Sequence, residues 1–288
     1  MIRSILVGMD ESLESSKSAL NVAIEISKLA NAKVKGFYIE NISRLLEWQP
    51  VELMGAAIGV SSGMPSSRPT IEQVEAEKEF IKEGNQLKDI FDTECSKNKV
   101  NSVFYTKRGQ VDELIIEESR KVDLVVIGRR GKTYPENSQE PGPITESLLR
   151  HTTKPVVVVP EGAKLTNNIL IGYDSSQTAQ RALSIGALFG KLQSSEIKVV
   201  SVGDDIDSAN RPLNEAEEFL SPYQLKVQYI VDFGSNKPSK AIIDQAKDFK
   251  AGLIVLGAFG ANKLLESIFG STTREVLIKS TCPVLLCR

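Results

Sequence analysis

The residues best suited to chemistry stand near the end of the chain: Gly257, Gly260, Gly270, Ser271 and Thr272, in the spacing Gly-x2-Gly-x9-Gly-Ser. Before them runs Gly252-Leu-Ile-Val-Leu-Gly257, an apolar stretch of the kind a buried parallel strand shows. After them, residues 272–280 carry apolar Val276 and Leu277 without Gly or Pro, which suits a helix. The order is strand, glycine loop, short helical turn, glycine, then a new helix start. Glycines let backbone N–H groups approach an anion with no Cβ in the way. Gly270 and Ser271 fall at a helix N-terminus, where unpaired N–H groups and the helix dipole favour phosphate. Ser271 and Thr272 add hydroxyl donors. The chemistry indicated is a cradle for the phosphates of a nucleotide.

The elements that must position this cradle occur twice. Ser4-Ile-Leu-Val-Gly-Met-Asp10 returns as Asn168-Ile-Leu-Ile-Gly-Tyr-Asp174. Leu124-Val-Val-Ile-Gly128 returns as Leu253-Ile-Val-Leu-Gly257, and Lys154-Pro-Val-Val-Val-Val159 as Cys282-Pro-Val-Leu-Leu-Cys287. The first offset is 174 − 10 = 164 and the second 257 − 128 = 129, so the first copy holds 164 − 129 = 35 extra residues between its first and fourth strands. Repetition at this length means two homologous domains, 1–163 and 164–288, rather than a solenoid with a period of about 20–50 residues. Strands are expected near 3–9, 33–39, 101–107, 123–128 and 155–160, with helices near 13–30, 70–97, 111–120 and 143–152. In the second copy, strands are expected near 168–173, 196–202, 225–232, 252–257 and 283–287. Its helices are expected near 176–191, 212–221, 237–248, 263–269 and 271–280. Alternating strands and helices with right-handed crossovers predict an α/β fold of two tandem five-stranded parallel sheets, with a ligand cleft at the strands' C-terminal ends.

The glycine spacing resembles the ATP-binding signature of the universal stress protein family, which ends in Gly followed by Ser or Thr. The tail from Cys282 to Cys287 is similar to that family's closing strand. The resemblance covers nearly the whole chain in two copies. It implies the five-stranded, Rossmann-like fold of the adenine nucleotide alpha hydrolase type and an ATP site in the second copy. By position, it implies that Asp174 contacts the ribose or a metal; an N-cap for the helix beginning near Ser176 is the alternative. It implies that Val202 meets the adenine edge through its backbone; plain strand core is the alternative. Lys263 either reaches a phosphate or is a solvated surface lysine. Ala258, Phe259 and Ala261 stand where the family often has polar and cationic residues, which leaves fewer charged contacts. The closing strands resemble the family's dimerising edge, implying an intramolecular pseudo-dimer of the two domains and further association into a homodimer.

The first copy's cradle departs from the pattern. Gly128-Arg-Arg-Gly131 is followed by ten residues and then Gly142-Pro143, so the spacing is off by one and proline replaces the hydroxyl residue. Pro143 has no N–H, and the intervening stretch carries two prolines and two glutamates that oppose a triphosphate. This copy is expected not to hold ATP, although Arg129, Arg130 and Lys132 could attract an anion. A Walker A reading of Gly128–Thr133 fails because Val126 stands where a glycine is required. The extra residues lie mostly at 41–70, an apolar run with the chain's single Trp, Trp48. That excursion either packs on its own domain or contacts the other domain or a second chain.

At 288 residues, two domains are the natural expectation, and 41% hydrophobic with 25% charged residues is ordinary for a soluble globular protein. A net charge of −2 and a pI near 5.8 give no basis for a nucleic-acid or membrane-surface partner. Cys95, Cys282 and Cys287 form no Cys-x-x-Cys and suit a reducing cytosol. The opening Ile2–Val7 is too short and too soon charged for a signal peptide, and no apolar run approaches the roughly 18 residues of a membrane span. His151, the single histidine, reads as a helix-end cap rather than a base. No nucleophile–base pair can be assembled near the second cradle, and His and Cys clusters for a metal are missing. Mg²⁺ would arrive with ATP and use a carboxylate such as Asp174. The expected function is therefore a nucleotide-binding stress-response module. A slow ATPase or phosphotransferase and an interaction protein without nucleotide are the alternatives.

Overall fold

The computed structural model describes residues 1–43, 71–131, 142–233, 237–258 and 270–288. The first half runs β1 (Ser4–Met9), α1 (Leu13–Ala30), β2 (Lys33–Asn41), α2 (Ile71–Lys97), β3 (Ser102–Gly109), α3 (Val111–Ser119), β4 (Leu124–Gly128), α4 (Pro143–His151) and β5 (Val156–Val159). The second runs β6 (Ile169–Gly172), α5 (Gln177–Gln193), β7 (Glu196–Gly203), α6 (Ile206–Leu220), β8 (Lys226–Phe233), α7 (Pro238–Asp248), β9 (Leu253–Gly257), α8 (Ser271–Lys279) and β10 (Val284–Cys287). The central strands are continuous apolar runs because both of their faces are covered; every residue of β5, β6 and β10 is buried.

One ten-stranded sheet results, in the order β3-β2-β1-β4-β5-β10-β9-β6-β7-β8. Neighbours within each half are parallel, and β5 meets β10 antiparallel, with Val157 opposite Leu285 and Val156 opposite Leu286. Directly opposed residues share a face of the sheet. The cores of the two halves are therefore continuous through this join. On one face Val157, Val159, Leu285 and Cys287 belong to the cluster that α1 and α5 cover. On the other, Val156, Val158, Val284 and Leu286 pack with Leu148 of α4 and Leu277 of α8. The link between halves is anchored as well: Gly162 sits at φ +73°, where a side chain would be strained, and its N–H donates to Ser18 Oγ at 2.9 Å.

One expectation needs correction. Helix α6 begins at Ile206, not at Pro212, because Asp205 and Ser208 form a reciprocal capping box. The Ser208 N–H donates to Asp205 Oδ1 at 2.7 Å and the Asp205 N–H to Ser208 Oγ at 3.1 Å. Those bonds at the start offset the donor that Pro212 lacks inside the helix. The long helix expected near 70–97 is α2, with 27 residues where α6 has 15, so part of the first half's extra length lies there. The excursion at 44–70, with Trp48, and the helix expected at 263–269 lie outside the described residues.

Candidate functional site

Each half adds its strands first to one side and then to the other, so that the winding order reverses across one parallel strand pair. In the second half this switch point lies between β6, flanked by β7, and β9, flanked by β10. Open parallel sheets form their crevice outside the C-terminal ends of the strands at such a point. Asp174 follows β6, Val202 closes β7 and Gly257 ends β9, so three of the residues marked in the sequence meet at one rim. The register agrees. Gly172 lies opposite Val200, and Ile171 opposite both Val199 and Val255.

Asp174 is exposed and accepts a bond at Oδ1 from the Ser176 N–H at 3.1 Å. It does not cap α5; Ser176 does, accepting from the Ala179 N–H at 3.2 Å. The cap alternative for Asp174 is thereby corrected, since Ser176 is the residue directly preceding the helix. Val202 is half-buried at the edge of the core cluster containing Val200 and Leu256. Gly257 has a steric reason of its own: a Cβ there would lie 2.6 Å from Thr178 Oγ1 and 2.7 Å from the Ala179 nitrogen, inside the first turn of α5.

Gly270 is different. It is the N-cap of α8, with φ −55° and ψ 142°, no side-chain cap and, among the described residues, no atom within 4 Å of where a Cβ would stand. Packing does not demand a glycine here. Ser271 is exposed and Thr272 half-buried, and α8 opens on N–H groups that a helix cannot satisfy internally. Gly260 and Lys263 lie outside the described residues. Thr273, which the sequence reading passed over, is buried and donates to the Gly257 carbonyl at 3.4 Å, tying the helix start to the strand end. Its place on the buried stripe with Val276 and Leu277 was the available signal.

The first half has the same switch point between β1 and β4, with a different interior. The described ends of its loop are bonded to each other. The Gly142 N–H donates to the Arg129 carbonyl at 3.3 Å, and Ser15 Oγ donates to the Arg130 carbonyl at 2.9 Å. A Cβ on Gly131 would stand 2.8 Å from Asp10 Oδ2, so the loop lies against the carboxylate that matches Asp174. Asp10 also accepts from the Ser12 N–H at 2.9 Å. Pro143 occupies the first position of α4. Arg129, which the sequence reading offered to an anion, turns away into the other half. Its Nη1 donates to the carbonyls of Leu277 at 3.1 Å, Ile278 at 3.1 Å and Ser280 at 2.9 Å. Burial holds the pKa of this guanidinium below its ordinary value, and neighbouring Arg130 adds to the effect. Its partners are too remote in sequence for any local signal.

His151 sits in the last turn of α4 with Nδ1 2.9 Å from the Ser147 carbonyl. Burial pushes the Cys287 thiol up to about 12 and that of Cys95 up to about 11, so neither is a nucleophile. Among the described residues no group of three His, Cys, Asp or Glu side chains gathers around a metal position. No helix among them is long and apolar enough to cross a membrane.

A ten-stranded sheet of two five-stranded α/β halves, each with its switch point at the C-terminal ends of parallel strands, has the adenine nucleotide alpha hydrolase-like fold in tandem. The sequence pattern of the universal stress protein family matches residues 1–160 and 166–288, and the chain belongs to that family. It is similar to the universal stress protein Slr1230 of Synechocystis, 25% identical over 292 residues and covering 100% of each chain. A match of 27% identity over 146 residues to the universal stress protein YxiE of Bacillus subtilis covers 42% of this chain and 99% of that one. The crystal structure of a universal stress protein from Archaeoglobus fulgidus superposes with a TM-score of 0.72 at 19% identity, over 99% of this chain and 98% of the other.

Proposed function

We propose that this protein is a tandem stress-response module that binds one adenine nucleotide, ATP, in its second half, while the first half serves as a structural partner. The nucleotide would lie along the rim of β6, β7 and β9, with Asp174 on the ribose or on a phosphate-bound Mg²⁺ and Val202 at the adenine edge. Gly257, Gly260, Gly270, Ser271 and Thr272 would surround the phosphates. The observation that carries this reading is the asymmetry between the helix starts: Gly270 stands before two hydroxyl residues, Ser271 and Thr272, whereas the equivalent Gly142 donates its N–H to the Arg129 carbonyl and is followed by Pro143. Unpaired N–H groups and hydroxyls at a helix start favour a phosphate there. The join of β5 to β10 supports describing the chain as an intramolecular pseudo-dimer of its two domains, 1–163 and 164–288. We further propose a cytoplasmic homodimer, which sedimentation across a concentration range would test.

We read the site as one for binding rather than turnover, because no described side chain at the rim is placed to activate a water. A slow ATPase is the competing reading. Hydrolysis above buffer background that disappears in Asp174→Ala would establish it. The binding reading is tested by purifying the protein without added nucleotide, denaturing it and chromatographing what is released. About one adenine nucleotide per chain agrees with it, and about two would show a working first half. None, together with no thermal shift on adding Mg-ATP, would leave an interaction protein that keeps only the motif.

A further inference from the structure

Helix α8 is nine residues long, so its two ends lie only about 13 Å apart. Its N-terminus is the open helix start described above. At its C-terminus, carbonyls of Leu277, Ile278 and Ser280 converge on one nitrogen, Nη1 of Arg129, which comes from the loop after β4 in the other half. A cation at the C-terminus and an anion at the N-terminus of one helix both complement its dipole. On the other side of the join the cation comes from a different position. There the position equivalent to Arg129 is Ala258: both donate a backbone N–H to the closing strand of their own half, Arg129 to Val159 at 2.8 Å and Ala258 to Cys287 at 2.7 Å. The C-terminal turn of α4 receives Arg288 instead, on the Arg150 carbonyl. The three carbonyls of the α8 end thus meet a cation supplied by the first half's loop, while the α4 end meets one supplied by the chain's last residue.

Resting on the reading of the second half as the phosphate site, we propose that Arg129 is a positioning residue for that site, through its clamp on the far end of α8. It holds α8 where the first-turn N–H groups meet the phosphates, and it places a positive charge along the same axis. The remnant cradle of the first half thereby sets the anion affinity of the second. Thr273 fixes the other end to Gly257 within the second half, so the helix is held at both ends, at one of them from the first half.

The test uses the full chain and two probes, Mg-ATP and adenosine, titrated by calorimetry into the wild type, Arg129→Gln and Arg129→Lys. Arg129→Gln is expected to bind ATP about three- to tenfold more weakly, with adenosine, which has no phosphate, changed less than twofold. Arg129→Lys, which keeps the charge without the planar fork, is expected to recover part of the loss. Unchanged ATP affinity in Arg129→Gln, or an equal loss for both probes, would overturn the proposal and leave Arg129 a structural contact. Should Arg129→Gln not fold, the same comparison of probes in Arg129→Lys decides the matter. Wild-type protein that binds neither probe would instead remove the nucleotide reading itself, and the inference with it.

Discussion

Exchanging Ser271 for proline copies the first half's sequence into the second and separates binding from folding. Proline is favoured at the first position of a helix, where its missing N–H has no intrahelical partner. It also requires the preceding residue to be extended. Gly270 already is, at φ −55° and ψ 142°, and Gly142 before Pro143 has φ −64° and ψ 156°, a difference of 9° and 14°. No clash awaits it there, since Ser271 is exposed. The unliganded protein should therefore keep its stability to within about 0.5 kcal/mol. Binding should suffer, because a phosphate would lose one backbone N–H and one hydroxyl. Hydrogen bonds to a charged group contribute roughly 1.5–3 kcal/mol each, and imperfect additivity puts the combined loss at about 2–4 kcal/mol, or roughly 30- to 1000-fold in Kd. Calorimetric titration with Mg-ATP alongside urea unfolding reads both quantities. Wild-type affinity in Ser271→Pro would refute the placement of phosphate at α8, and a large loss of stability without ligand would refute the account of this helix start.

The two glycines of the site should respond in opposite ways. Gly257→Ala presses a Cβ into the backbone of α5 and should cost about 1–3 kcal/mol in urea unfolding. Gly270→Ala, whose Cβ would meet no atom within 4 Å among the described residues, should leave stability nearly unchanged while weakening ATP; equal destabilisation by both would contradict the steric argument. At the join, Leu285→Ala removes a fully buried side chain opposite Val157 and should destabilise by about 2–5 kcal/mol. Because the cores run through β5 and β10, both halves should still unfold in one transition, and two resolved transitions would show that the halves are independent. A pH effect is expected at Glu118. Its burial works to raise the carboxyl pKa, yet donors from Lys107, Lys121 and Tyr105 outweigh this and hold it at about 2. The folded value lies below the unfolded one, so this stabilisation is complete above the usual carboxylate range and is lost as pH falls from about 4.5 towards 2. Glu118→Gln should cost on the order of 2 kcal/mol at pH 7 and much less at pH 3, and a pH-independent difference would count against the ion network.

The repeat, the alternation of apolar runs with helical stretches, and the glycine spacing were all local patterns, and they sufficed for the α/β class and the tandem organisation. The same holds for the rim residues: Asp174, Val202 and Gly257 each end a strand, and parallel strands present their ends at one side of the sheet. Local signals also misled. Pro212 reads as a helix start until Asp205 and Ser208 are recognised as a capping pair three residues apart. Asp174 reads as a cap until Ser176 is seen to accept the Ala179 N–H. Tertiary structure alone decided which glycines are steric necessities, since that depends on what faces the missing Cβ: α5 at Gly257, and no described atom within 4 Å at Gly270. It also decided the fate of Arg129, a cation that sequence assigns to its own loop. The carbonyls it binds lie 148 to 151 residues further along the chain, and only the antiparallel pairing of β5 with β10 brings that helix end within its reach.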